Sequence, residues 1–182
     1  IFREVYRFRP AVVSGNFDFY LIKPLNPLFR SLFTGPDILD LLTLIPLIIA
    51  TIYYANLLEV TGIFNIMLYV LMLLVGFTIA MAFHILVLAL AILTTEIDHA
   101  IMLYRDILAM GRMPIDIYME PLRGILTFII PVGIMITFPA KSILGLLSPS
   151  LIFYSIIFCM VLLFLSFKAW QFALRKYCSA SS

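Results

Sequence analysis

The chain has 182 residues, of which 64% are apolar and only 12% charged, with a formal net charge of +2; its mean hydropathy is +1.13. Soluble domains carry about 45–50% apolar and about 25% charged residues, so a globule of this size could not hide so much apolar surface, and the remainder must face lipid. Disorder, a coiled coil, a disulfide scaffold and nucleic-acid binding are excluded as well, because no basic cluster is dense and Cys159 and Cys178 form no spacing motif, which leaves both as free thiols.

Ile1 is not a start residue, and the chain reads as the C-terminal part of a longer protein. Residues 1–37 are the most polar stretch and form a cytoplasmic coupling or interfacial region. Ser14-Gly15-Asn16 breaks the chain, and Phe17 to Ile22 predicts a short turn or helix. Lys23-Pro24-Leu25-Asn26-Pro27 interrupts again, since each proline pushes its predecessor away from helix. Leu28, Phe29, Leu32 and Phe33 then offer an apolar stripe for the membrane surface. Asp37 or Asp40 is placed to accept first-turn amide hydrogens of the next helix.

Residues 38–182 read as an all-α integral membrane domain with four transmembrane helices, at about 38–58, 63–95, 122–138 and 151–170. A crossing takes about 20 residues at 1.5 Å each. The second stretch is too long for one upright crossing and predicts a tilted helix that projects beyond the bilayer. The third carries Arg123 at its mouth and Pro131 within. Ile97, Ile101, Tyr104 and Leu108 recur at helical spacing, predicting an amphipathic cytoplasmic helix, and the apolar run from Pro139 to Pro149 predicts a short outer re-entrant piece.

Eleven of the twelve basic residues fall on one side of this arrangement, Lys141 alone lying on the other. By the positive-inside rule that side is cytoplasmic, which makes the protein multi-pass with its C-terminus inside. Tyr53, Tyr54, Tyr154, Trp170 and Tyr177 lie where interfacial aromatic belts are expected.

Chemistry-bearing candidates are few. His84 lies mid-span, where an ionisable group is a functional hypothesis by default. Gly76, Ala80 and His84 share one helical face, and small residues there let another helix approach, so His84 reads as a neutral packing histidine facing protein. Pro46 and Pro131 predict either fixed kinks or hinges along a pathway, with Pro131 the stronger candidate. Asp40 reads as a cap rather than a lining of an ion path. Glu96, Asp98 and His99 are spaced so that no helical face holds all three, so no metal site is expected. No catalytic constellation and no phosphate-binding glycine loop is present in the sequence.

Three patterns together resemble one family, the ABC-2-type permeases, and within it the six-helix, multidrug-like export branch. They are Gly15-Asn16-Phe17-Asp18-Phe19-Tyr20-Leu21-Ile22-Lys23-Pro24-Leu25-Asn26-Pro27; then Arg112-Met113-Pro114-Ile115-Asp116-Ile117-Tyr118 with Arg123, Ile129-Ile130-Pro131 and Phe138-Pro139-Ala140; and Trp170 with Leu174-Arg175-Lys176-Tyr177 and Ser179-Ala180-Ser181-Ser182. The resemblance implies that two N-terminal spans of six precede this chain. It implies a coupling segment that docks on a separate ATP-binding subunit through Gly15, Phe17, Asp18, Phe19, Tyr20, Lys23 and Pro24. The aromatic rings would fill a cleft on that subunit, and Asp18 and Lys23 would set orientation. By the same implication this chain binds no cofactor, ATP and magnesium sitting on the partner. A second permease subunit, identical or a sister, would complete the transporter in the plasma (cytoplasmic) membrane, among lipid and without nucleic acid. Its expected activity is export of an amphipathic or hydrophobic compound, drug-like or lipid-like. The rival readings are an ATP-independent channel or secondary carrier, which predicts a polar stripe or inverted repeats, and an intramembrane lipid-modifying enzyme built around Asp98 and His99.

Overall fold

In the computed structural model the described residues are 5–33, 38–59, 62–94, 102, 106 and 109–178, and among them every regular element is helical. The helices are α1 (Val5–Val13), α2 (Asp18–Ile22), α3 (Pro27–Phe33), α4 (Ile38–Leu57) and α5 (Ile63–Leu93). After a single 3₁₀ turn at Ile115–Ile117 come α6 (Leu122–Ile129), α7 (Gly133–Ile143) and α8 (Pro149–Lys176). Asp37, Glu96, Asp98, His99 and the side chain of Asp40 lie outside the described residues, as does most of 97–108, where Met102 and Asp106 are helical.

Local chemistry sets the boundaries. Gly15 follows α1 at φ +76°, a conformation that costs glycine nothing. The Asn26 side chain accepts from the Leu28 amide at 2.9 Å and caps α3, whose first residue is Pro27. Gly145 at φ +69° closes α7, with the Leu146 amide donating back to the Lys141 carbonyl at 2.9 Å. Among the described residues two helices, α5 and α8, are long and apolar enough to cross a membrane, α6 and α7 making a third only if taken as one span. At 31 residues α5 reaches about 46 Å. In α4 every side chain from Leu42 to Ala50 is exposed, an apolar surface that water would not tolerate.

The chain forms two compact units. The first comprises Ile1–Leu42, Met81–Leu103 and Leu163–Ser182. Its core joins Val5 and Phe8 of α1, Leu28 and Leu32 of α3, Ile85 and Leu88 of α5, and Trp170 of α8. Two expectations change here. Leu28 and Leu32 are buried against α5 rather than spread on a membrane surface, and Trp170, 4% exposed, is a core residue rather than an interfacial anchor. Stacking partners from α1 were absent from the sequence argument, and they are what draw the indole inward.

The second unit comprises Thr43–Ala80 and Tyr104–Leu162. Here the segment expected to cross at 122–138 is sharply bent rather than one straight helix. The segment breaks at Ile130–Val132, and α6 and α7 meet at a 78° bend. Ile130, directly before Pro131, is extended at φ −114°, ψ 94°, as the proline ring demands. A straight helix of this length would hold its flanks about 25 Å apart, yet Lys141 Nζ meets Asp116 Oδ1 at 2.7 Å and the Ile115 amide donates to Thr137 Oγ1 at 3.2 Å. α6 and α7 therefore form a bent hairpin in which the 115–117 turn packs against α7. The separate piece expected from 139 onward does not start there, since Phe138–Ile143 continues α7 without a break. Arg112, Arg123 and Lys141 all belong to this second unit.

Candidate functional site

The segment expected to couple to a partner is built as a braced knob. Phe17 is fully buried, with ring centroids 5.0 Å from Phe8, 5.2 Å from Tyr177 and 6.3 Å from Trp170, all three edge-on. Such edge-to-face pairs add about 0.5–1.5 kcal/mol each beyond the area they bury. Enclosed in this way, Phe17 cannot fill a partner's cleft; it holds α2 in place instead. The Tyr177 hydroxyl donates to Asp18 Oδ1 at 2.9 Å, so Asp18 is also engaged within the unit. Loss of water around the phenol, then the hydrogen bond and negative charge of Asp18, push the Tyr177 pKa up from 10 to about 12. The Tyr20 ring lies 4.1 Å beneath the Arg30 guanidinium, a cation–π contact that ties α2 to α3.

What α2 presents outward is a different set. Phe19 is 61% exposed, Ile22 77% and Leu25 60%, with Lys23 and Pro24 exposed between them. Gly15 supplies the left-handed turn that lets α2 fold back under α1. Of the seven residues expected to contact a partner, Phe19, Lys23 and Pro24 are therefore free to reach one, and Ile22 and Leu25 join them.

The small-residue face of α5 is occupied at Gly76. A Cβ there would stand 3.0 Å from the Met135 carbonyl oxygen and 3.1 Å from its Cα, so α5 and the backbone of α7 touch at this point. His84 is 8% exposed and lies in the first unit, whereas Gly76, Ala80 and Pro131 lie in the second. Pro131 is fully buried at the hairpin bend. Among the described residues no group of His, Cys, Asp and Glu could hold a metal. Both cysteines are free thiols, Cys159 buried and Cys178 exposed.

Sequence reasoning missed α1 and the role of Tyr177. The signal for α1 was present: Val5, Phe8 and Val12 recur at i, i+3, i+7, and all three pack into the knob.

Comparison with protein families matches residues 1–181 to the family described as ABC-2 family transporter protein. No curated protein and no solved structure matches the chain.

Proposed function

The chain belongs to the ABC-2 transporter family, and from that premise we propose that it is the permease subunit of an exporter driven by separate ATP-binding subunits. ATP and magnesium bind on those partners, and this subunit catalyses nothing itself. A second permease subunit, identical or a sister, faces it in the plasma membrane. The cargo is an amphipathic or hydrophobic compound, since the described residues of α4 and α5 carry no charged side chain after Asp40.

Orientation follows from charge. Arg3, Arg7, Arg9, Lys23 and Arg30 precede α4, and Lys168, Arg175 and Lys176 close α8, a bias that makes both chain ends cytoplasmic. Crossing by α5 puts Ile63 and Leu93 at opposite membrane faces. Within the second unit a Cβ on Gly145 would stand 3.5 Å from the Asn65 amide nitrogen, so the α6–α7 hairpin shares the outer face with Ile63.

The observation that carries the reading is the division of labour within α2. One side is locked by Phe17 and Asp18 into a core that includes α5 and α8. The other side presents Phe19 and Ile22, large apolar groups whose exposure in a cytoplasmic segment calls for a protein partner. A push on Phe19 reaches α5 and α8 through packed rings, where a loose loop would absorb it. Complex formation tests this. Phe19→Glu with Ile22→Glu is expected to abolish co-purification with the ATP-binding subunit while the permease stays folded; an intact complex would overturn the reading.

A further inference from the structure

The 115–117 turn, the hairpin and the start of α8 line an open pocket of about 300 Å³, far more than the roughly 10–15 Å³ that one bridging water requires. Four charged side chains line it: Asp116, Glu120, Arg123 and Lys141. They stand as two ion pairs, Lys141 Nζ to Asp116 Oδ1 at 2.7 Å and Arg123 Nε to Glu120 Oε1 at 2.8 Å. Glu120 is further held by the Gly124 amide, which donates to its other oxygen at 3.1 Å. The remaining wall is apolar, with Phe128, Phe138 and Leu151. Two cations, two anions and a greasy wall around one space are more than a hairpin needs to stay closed, for which the Asp116–Lys141 pair alone would serve.

We propose that this cavity binds the headgroup of a zwitterionic phospholipid, an ammonium and a phosphate carried on an apolar chain. The phosphate takes Arg123 and Lys141, the planar guanidinium fork suiting its oxygens. The ammonium takes Asp116 and Glu120, and the first carbons of the chain run along Phe128, Phe138 and Leu151. The four charges sum to zero, so a zwitterion leaves each wall charge with a partner. A net anion that drew Lys141 and Arg123 away from Asp116 and Glu120 would leave two carboxylates with nothing to answer them, and that mismatch is the source of selectivity. The inference concerns the hairpin alone and stands whether or not α2 docks an ATPase.

The test uses the full-length protein in detergent, with dioctanoyl phosphatidylethanolamine, dioctanoyl phosphatidylglycerol and soluble phosphoethanolamine as probes, read by intrinsic fluorescence titration. The ethanolamine lipid is expected to bind roughly tenfold or more tightly than either other probe, as losing one charge-assisted contact implies. Asp116→Asn with Lys141→Gln removes a cation and an anion together and is expected to erase that preference. Equal binding of the glycerol lipid overturns the zwitterion, and equal binding of phosphoethanolamine overturns the lipid in favour of a free headgroup. Both comparisons are made on the unaltered protein, so they decide the matter even if the double variant fails to fold.

Discussion

The Tyr177 hydroxyl donates to Asp18 Oδ1 at 2.9 Å, joining the end of α8 to the first turn of α2 across 159 positions of sequence. Together with the edge-on contact between Phe17 and Tyr177, it fastens the knob to the end of α8. Tyr177→Phe keeps the ring and removes the hydroxyl, so it is expected to lower stability by about 1 kcal/mol. Thermal unfolding in detergent checks this, and a larger loss of ATP-driven transport than of stability would mark the bond as part of the drive train.

The same bond predicts an alkaline signature. Tyr177 is neutral in the folded protein up to a pKa of about 12, against the ordinary value of 10. Because the folded value is raised, the stabilisation is fully present below pH 10 and is lost as the pH rises through 12. The original protein should therefore lose stability over that window more steeply than Tyr177→Phe. Parallel curves for the two would show that burial and Asp18 together do not hold the phenol neutral above its ordinary range.

Substitutions on the two sides of α2 should separate folding from docking. Phe17→Ala empties a fully enclosed site and is expected to cost roughly 3–5 kcal/mol. Phe19→Ala changes an exposed ring and is expected to stay within about 0.5 kcal/mol in stability while weakening the complex with the ATP-binding subunit. Paired measurements of melting temperature and co-purification distinguish the two.

Gly76 and Gly133 make a second contrast. At Gly76 a methyl meets the Met135 backbone at 3.0 Å, which cannot yield, so Gly76→Ala is expected to cost about 1–3 kcal/mol. At Gly133 the nearest atom, 2.7 Å away, is the far end of the Ile115 side chain, which can rotate aside. Gly133→Ala should therefore cost less, and the order of the two melting temperatures is the readout.

Hairpin closure is open to direct chemical test. Asp116→Cys with Lys141→Cys, in a background of Cys159→Ser and Cys178→Ser, should be joined by a bifunctional thiol cross-linker of the length of a lysine–aspartate pair, since the side chains they replace touch at 2.7 Å. A straight crossing at 122–138 would leave the two thiols unlinked.

Much of the fold was legible because lipid imposes long apolar runs. The expected stretches 38–58 and 63–95 differ from α4 and α5 by one or two residues at one end, and proline and glycine punctuation located α2, α3 and the start of α8. What escaped depends on partners distant in sequence. Pro131 signalled a break, but nothing local to 122–138 shows that Lys141 returns to Asp116. Phe17, Phe19 and Tyr20 look alike in sequence; only α1 and α8, supplying Phe8, Trp170 and Tyr177, decide that Phe17 turns inward. Trp170 was misplaced for the same reason.

The most direct test of the central claim is a photo-crosslinking amino acid placed in turn at positions 19, 22 and 119 in the reconstituted complex with its ATP-binding subunit. Phe19, Ile22 and Met119 are all strongly exposed, the last at 85% on the hairpin. The account predicts that positions 19 and 22 capture the ATP-binding subunit and that 119 does not. Capture at 119, or none at 19 and 22, would contradict it.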